Sequence, residues 1–310
     1  MNRDRAFRWL CSTAGFLLLL FSLYTLHQQL NRYNFSDISN SLSAIDDRAL
    51  IWALGFAIAS YLVISSYDLV AFRHFKYYLS PKRILFTTFL TYAVSNTTGF
   101  TLLIGGAIRY RFYSLWGVPA KTIAKVTAWG NLTFWLGLLT LTGIAFTINP
   151  LQLPETFKVD IALMRCLGII ALIAIAIYLY LCYRRKRWRI RGKTFRFPKL
   201  TTSAWQISIF SLDWALAAAI LYSLLPNKSY WQFFSIYLLA MTASIISNIP
   251  GGIGVFETII IFLLPDIYVL DLLSSLLVYR VIRFLFPLAI ALTIICIFEL
   301  KQRVSVNHRK

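Results

Sequence analysis

Charge is scarce in this sequence, and acid is the scarcer sign. Charged residues fill 14% of 310 positions, with 12 Asp and Glu against 31 Lys and Arg. Soluble globular chains carry about a quarter charged residues, so a chain that is also 58% hydrophobic has more apolar sequence than a water-soluble core absorbs. Histidine is rare: His27, His74 and His308 are scattered, and neither His-Glu-x-x-His nor a Gly-Lys-Ser/Thr phosphate loop occurs, so a zinc protease and an ATP motor are unsupported. The four cysteines, Cys11, Cys166, Cys182 and Cys296, have neither paired nor metal-type spacing. That argues against a disulfide framework or zinc site and for small apolar packing residues. No metal or cofactor is expected, and no soluble catalytic domain.

What the sequence has is long apolar runs. Residues 15–26, 49–70, 129–148, 167–183 and 281–297 reach or approach the roughly 20 residues that cross a hydrocarbon slab as a helix. The fold class is therefore all-α, a polytopic membrane protein with one transmembrane domain over 1–310. Arg3, Arg5 and Arg8 precede the first run as in a secretory signal, but it ends in Tyr24 to Gln29 with no small-residue cleavage pattern, and it reads as a retained span. Trp9, Trp52, Trp116, Trp188, Trp205 and Trp231 mostly fall near span ends, the composition of an interfacial belt.

The formal charge of +19 has a location. Arg184, Arg185, Lys186, Arg187, Arg189, Arg191, Lys193, Arg196 and Lys199 directly follow a span, as the positive-inside rule expects of a cytoplasmic loop. This 184–200 loop is expected to attract anionic lipid headgroups by roughly 1 kcal/mol per basic residue near the surface. Nothing further points to nucleic acid.

Treating every apolar stretch as one crossing puts that loop outside, so some stretch must fail to cross. The loops 31–48, 149–160, 226–230 and 266–271 carry only Arg32, Arg48, Lys158 and Lys228. The amino terminus, 71–83, 107–121, the basic loop and the tail hold most of the remaining Lys and Arg. Placing the rich loops inside, with both termini cytoplasmic, requires residues 84–106 to enter and return from the cytoplasm and 231–265 to enter and return from outside. Each has a break near its middle: Ser95-Asn96-Thr97-Thr98-Gly99, and Ser247-Asn248-Ile249-Pro250-Gly251-Gly252-Ile253-Gly254. Asn, Pro and clustered Gly continue helices poorly.

Both breaks share Ser-Asn-x-x-Gly, separated by about half the chain. The expected architecture is about six full transmembrane helices plus two re-entrant broken hairpins, in inverted repeats covering roughly 1–150 and 161–300. A chance match and a single kinked span are the alternative. Non-helical backbone at membrane depth is tolerated only inside protein or beside a water-filled cavity, so the breaks predict a cavity. A helix beginning after Gly99 or Gly254 would direct its partly positive end into it, toward a phosphate or carboxylate; a rigid kink without ligand is the structural alternative.

At these residues the chain resembles the transmembrane region of lysylphosphatidylglycerol synthases, the multiple peptide resistance factor flippase domain, with its stand-alone relatives. The resemblance rests on Gly105-Gly106-Ala107-Ile108-Arg109-Tyr110-Arg111-Phe112-Tyr113 with Trp116-Gly117, on Pro250 to Glu257, and on Tyr279-Arg280 to Pro287. It implies a lipid-handling membrane domain, associated in full-length members with moving aminoacylated phospholipid from the inner to the outer leaflet. Those members carry a cytosolic aminoacyl-transferase domain after the membrane region. The sequence ends at Lys310, so aminoacyl transfer by this chain is not expected.

Ionisable groups inside spans are costly and face a cavity or a partner, which singles out Asp213, Glu257, Arg280 and Arg283. Asp68 and Arg165 lie nearer span ends. Arg280 and Arg283, three apart, are expected on one helix face, gripping a lipid phosphate, or else one of them bridges to Asp213. Glu257 falls in the first turn after Gly254, where it caps the helix or favours a cationic headgroup or a proton. Asn96, Thr97, Thr98 and Gly99 form an acid-free break suited to phosphate, and Asn248, Pro250, Gly251, Gly252 and Gly254 form the second break. Arg109 and Arg111 are expected at the cytoplasmic side, collecting anionic lipid or only signalling topology. The leading expectation is a phospholipid translocase acting on membrane phospholipids in the cell membrane, the inner membrane if bacterial. The alternatives are a non-catalytic membrane subunit assisting a lipid- or glycan-modifying enzyme, and a small-solute transporter. Cysteines at Ser95 and Ser247 are expected to react with water-soluble reagents; failure of both removes the support for a cavity.

Overall fold

The computed structural model describes residues 40–98, 101–150, 160–184, 187–190, 193–225, 229–247 and 249–307. The first apolar run, Gly99 and Asn248 lie outside the described residues. Eleven helices can be named in chain order. Helix α1 (Asp47–Ser65) passes through Ser66 into α2 (Tyr67–His74), and α3 (Pro81–Thr98), α4 (Thr101–Leu115), α5 (Ala120–Ile148) and α6 (Ile161–Tyr183) follow. A hairpin of β1 (Arg187–Ile190) and β2 (Lys193–Arg196), antiparallel with Arg187 opposite Arg196, leads to α7 (Leu200–Ser223) and α8 (Tyr230–Ile246). After a 3-10 turn at Pro250–Gly252 come α9 (Val255–Leu263) and α10 (Val269–Arg280). A π-helical turn at Val281–Leu285 then joins α10 to α11 (Phe286–Asn307).

Local chemistry sets several of these limits. Asp46 accepts the Arg48 N–H at 3.1 Å and Asp160 accepts the Ala162 N–H at 3.2 Å, each filling an orphan donor at a helix start. Hydroxyls inside the spans bond back one turn, as in Thr133 to the Trp129 carbonyl at 2.8 Å and Thr242 to the Leu238 carbonyl at 2.6 Å. That is how a polar side chain is satisfied where water is absent.

Among the described residues five helical stretches are long and apolar enough to cross a membrane: Asp47–His74, Ala120–Ile148, Ile161–Tyr183, Leu200–Ser223 and Val269–Phe298. Helix α7 is half buried and α6 only 22%, so α7 is the hub, packed on α1, α5 and α8, while α6 lies peripherally against α5. The outward faces stay apolar, with Ile169, Ile173 and Ile177 of α6 exposed, and lipid supplies the contacts that protein does not. Trp52, Trp205 and Trp231 are exposed near helix ends, as a belt requires. The central core joins Phe210, Trp214, Tyr237, Phe256 and Tyr279.

Close helix approach uses missing side chains. A Cβ on Gly168 would stand 2.7 Å from Thr147 Oγ1 and 3.1 Å from the Gly143 carbonyl oxygen, and one on Gly137 would meet Phe210 Cβ at 2.6 Å. Small residues at such crossings let membrane helices pack by van der Waals contact.

The two breaks differ. Ser95, Asn96, Thr97 and Thr98 are helical, contrary to the expected loop, since Thr97 bonds back to the Ala93 carbonyl at 3.1 Å. Helix α3 runs to Thr98 and α4 starts at Thr101. The second break is real backbone irregularity: Gly251, Gly252 and Gly254 have φ of 63°, 61° and 87°, a region that only glycine occupies cheaply. Helix α8 has 17 residues and α9 has 9, and at 1.5 Å per residue α9 reaches about half a bilayer core. Consecutive helices α3 and α4 pack together, as do α8 and α9, and α3 also touches the Pro250–Gly252 turn. Gly168→Val is expected to lower the thermal midpoint of the purified protein by several degrees. Gly55→Ala, where an added Cβ meets nothing within 4 Å, leaves it unchanged or higher.

Candidate functional site

Three buried or half-buried ion pairs surround the breaks. In the first, Asp68 of α2 takes a fork of bonds from Arg109 of α4, Nε to Oδ2 at 2.8 Å and Nη2 to Oδ1 at 2.9 Å, and accepts the Tyr113 hydroxyl at 2.8 Å. The guanidinium carbon of Arg109 lies 5.2 Å from the Tyr92 ring centre. Two parallel charge-assisted bonds are the strongest form such a pair takes. The second is looser. Arg283 Nη2 stands 3.4 Å from Asp213 Oδ1, and its Nη1 donates to Ser60 Oγ at 2.6 Å. Asp213 in turn accepts the Ser60 hydroxyl and the Tyr67 hydroxyl, the latter at 2.8 Å.

The third pair holds the break itself. Arg280 Nε donates to Glu257 Oε1 at 2.6 Å, while its Nη1 and Nη2 donate to the carbonyls of Gly251 and Gly252. Glu257 Oε2 accepts the Gly254 N–H at 2.7 Å. The capping role expected of Glu257 is present, and the same carboxylate anchors the arginine that satisfies the turn's carbonyls.

A cavity of about 260 Å³ lies between the first two pairs. Arg109, Asp213 and Arg283 line it, with Asn96 from the end of α3 and Gly251 and Gly252 from the second break. The breaks meet: a Cβ on Gly251 would stand 3.0 Å from the Thr97 carbonyl oxygen.

Several sequence expectations change here. Arg280 and Arg283 do not act together, because the π-helical turn that begins at Val281 rotates the register between them and sends Arg280 to the glycine turn and Arg283 to Asp213. Of the alternatives weighed, the bridge to Asp213 is the one present. Arg109 is buried, not a surface collector, whereas Arg111, two residues along the helix, is exposed. Glu257 is absent from the cavity lining; its oxygens are occupied at the turn. Ser95 and Ser247 are buried, at 0% and 4% exposure, so they are poor reporters of water. Thr98 closes α3 and Pro250 opens the 3-10 turn. Sequence reading missed Ser60, Tyr67 and Tyr113 as partners and set Asp68 aside as a span-end residue. The available signal was an acid inside the 49–70 run, with Ser60 and Tyr67 seven residues apart and so on one helical face. No group of three or more His, Cys, Asp and Glu able to hold a metal occurs among the described residues.

These features define a class: a multi-pass, all-α membrane protein with paired charges around an internal cavity. The family model for the lysylphosphatidylglycerol synthase transmembrane region matches residues 9–291, and the chain belongs to that family. It is 38% identical to the uncharacterized protein slr0712 of Synechocystis over 96% of this chain and 94% of that one. It is 34% identical to the inner membrane protein YbhN of Escherichia coli over 84% and 83%. It is also 25% identical to a phosphatidylglycerol lysyltransferase of Staphylococcus aureus, over 94% of this chain but 34% of that enzyme.

Breaking one side of a buried pair leaves a charge without compensation. Arg109→Met is expected to cost about 3–5 kcal/mol, and adding Asp68→Leu to recover most of it, as read by thermal unfolding in detergent. Asn96→Cys is expected to react with a water-soluble maleimide, and Ser95→Cys much more slowly.

Proposed function

We propose that this chain is a phospholipid translocase, in which the cavity takes the polar headgroup while the acyl chains remain in the bilayer. The observation that carries the reading is Arg283. It is 6% exposed, lines the cavity, and has partners for two of its five N–H groups among the described residues, one of them at 3.4 Å. A guanidinium held this loosely offers spare donors to a phosphate, and Asp213 beside it suits the amine of an aminoacylated headgroup. The Asp68–Arg109 fork, two bonds of 2.8 and 2.9 Å to one carboxylate, is tight enough to serve as the fixed wall. The family's description and the lysyltransferase relative's name both support lipid of the phosphatidylglycerol class.

In this reading α3 with α4 and α8 with α9 are re-entrant pairs of the two inverted halves. Both termini and the β1–β2 hairpin are cytoplasmic, with the hairpin's basic residues against anionic headgroups. The described order supports it: a span, a packed helix pair and a span are followed by two spans, a packed pair and a span. Translocation, not aminoacyl transfer, is the assigned activity. A second reading draws on the β1–β2 hairpin, a folded element beyond the spans that is able to recruit a lipid- or glycan-modifying enzyme.

Vesicles reconstituted with the whole chain are expected to move labelled phosphatidylglycerol between leaflets at least about tenfold faster than empty vesicles. Arg283→Met is expected to remove most of that gain, the loss of a charged hydrogen bond being worth about 1.5–3 kcal/mol, in protein whose folding is checked by thermal unfolding in detergent. Flux equal to that of empty vesicles would leave the recruiting role as the better account.

A further inference from the structure

A second concavity lies on the far side of Gly251. It is a groove of about 250 Å³ whose walls include Leu273, Leu276 and Leu277 of α10 and Ile253 of the break. Gly251 and Phe284 line both the groove and the polar cavity. Leu273 and Leu276 are buried, whereas Ile253, Leu277 and Leu285 are about half exposed, at 50%, 47% and 52%. The groove therefore opens sideways between membrane-embedded helices.

Its chemistry selects the occupant. The one ion pair on its wall, Glu257 with Arg280, is spoken for: all three guanidinium nitrogens have partners, and both carboxylate oxygens accept a bond. A polar ligand finds the charges there already paired and would leave most of its own groups unsatisfied, whereas a hydrocarbon chain loses nothing. At the boundary with the cavity, Gly251 presents no side chain. A Cβ there would come within 3.0 Å of the Thr97 oxygen and 3.7 Å of Arg280 Nη1.

We propose that this groove seats one acyl chain of the phospholipid whose headgroup enters the cavity, with Gly251 and Phe284 as the threshold crossed by the ester-linked neck of the lipid. The proposal rests on the headgroup reading above and adds a chain-binding seat, which makes the cargo a lipid and not a free phosphate or small solute.

The test places the whole chain in phosphatidylcholine vesicles containing a small fraction of phosphatidylglycerol with a diazirine on one acyl chain. Labelled peptides are then mapped after illumination. Label is expected on residues 269–285, displaced by excess phosphatidylglycerol and less well by diacylglycerol. It should fall several-fold in Leu277→Trp and in Ile253→Trp, two substitutions at half-exposed rim positions. Labelling of the lipid-facing side of α6 at Ile169 and Ile173 is expected to stay unchanged in both. Groove labelling no stronger than that on α6, or unaffected by both tryptophans, overturns the proposal. Arg283→Met is expected to abolish the preference for phosphatidylglycerol over diacylglycerol. If the unaltered protein already lacks that preference but the tryptophans still block labelling, the headgroup reading falls and the chain seat stands.

Discussion

No charge or backbone amide inside a bilayer can borrow a partner from water, and this constraint organises the molecule. An unpaired amide costs several kcal/mol in hydrocarbon, and an isolated carboxylate or guanidinium more. Asp68, Asp213 and Glu257 each meet an arginine from another element. Those three pairings tie α2 to α4, α7 to the π-helical turn, and α9 to the end of α10. The central apolar core fills the space between these ties with Phe210, Trp214, Tyr237 and Tyr279.

The Pro250–Gly254 turn shows the same constraint acting on backbone. Positive φ at Gly251, Gly252 and Gly254 interrupts the helix, and Arg280 collects the carbonyls of Gly251 and Gly252 while Glu257 collects the Gly254 N–H. Irregular backbone is thereby made affordable beside a cavity. It is also what lets the Thr97 carbonyl approach Gly251 so closely. The polar cavity and the apolar groove share Gly251 and Phe284 in their walls at this point. An amphipathic molecule needs such a junction, where a wet surface and an oily one share an edge.

The three arginines illustrate a division of labour set by hydrogen-bond supply. Arg109 is clamped in a fork, Arg280 has every nitrogen engaged, and Arg283, on the cavity wall, has two side-chain bonds among the described residues, one of them at 3.4 Å. A ligand anion competes most readily for the arginine whose bond to its carboxylate is longest.

Much of this was legible in one dimension. The spans follow from hydrophobic length, the second break from Pro250 with three nearby glycines, and the importance of Asp213, Glu257 and Arg283 from the cost of ionisable groups in apolar runs. Ser95 to Thr98 of the expected first break belong to α3, because Thr97 bonds back to the preceding turn and lets the helix continue to Thr98. Asp68 was underrated because distance from a span end says nothing about which residue fills the opposite side. The split between Arg280 and Arg283 was invisible, since spacing by three implies a shared face only while the helix stays α. One π turn cancels that rule.

The amino-acid sequence alone determined that the chain lives in a membrane, where its helices must run, and that its few acids must be paired, because hydrophobic length and the cost of burying charge are properties of residues and short segments. Only the tertiary structure decided which arginine meets which carboxylate and that the cavity and groove share Gly251 and Phe284. Those are contacts between elements far apart in the chain, fixed by helix register and close approach, which local spacing does not encode.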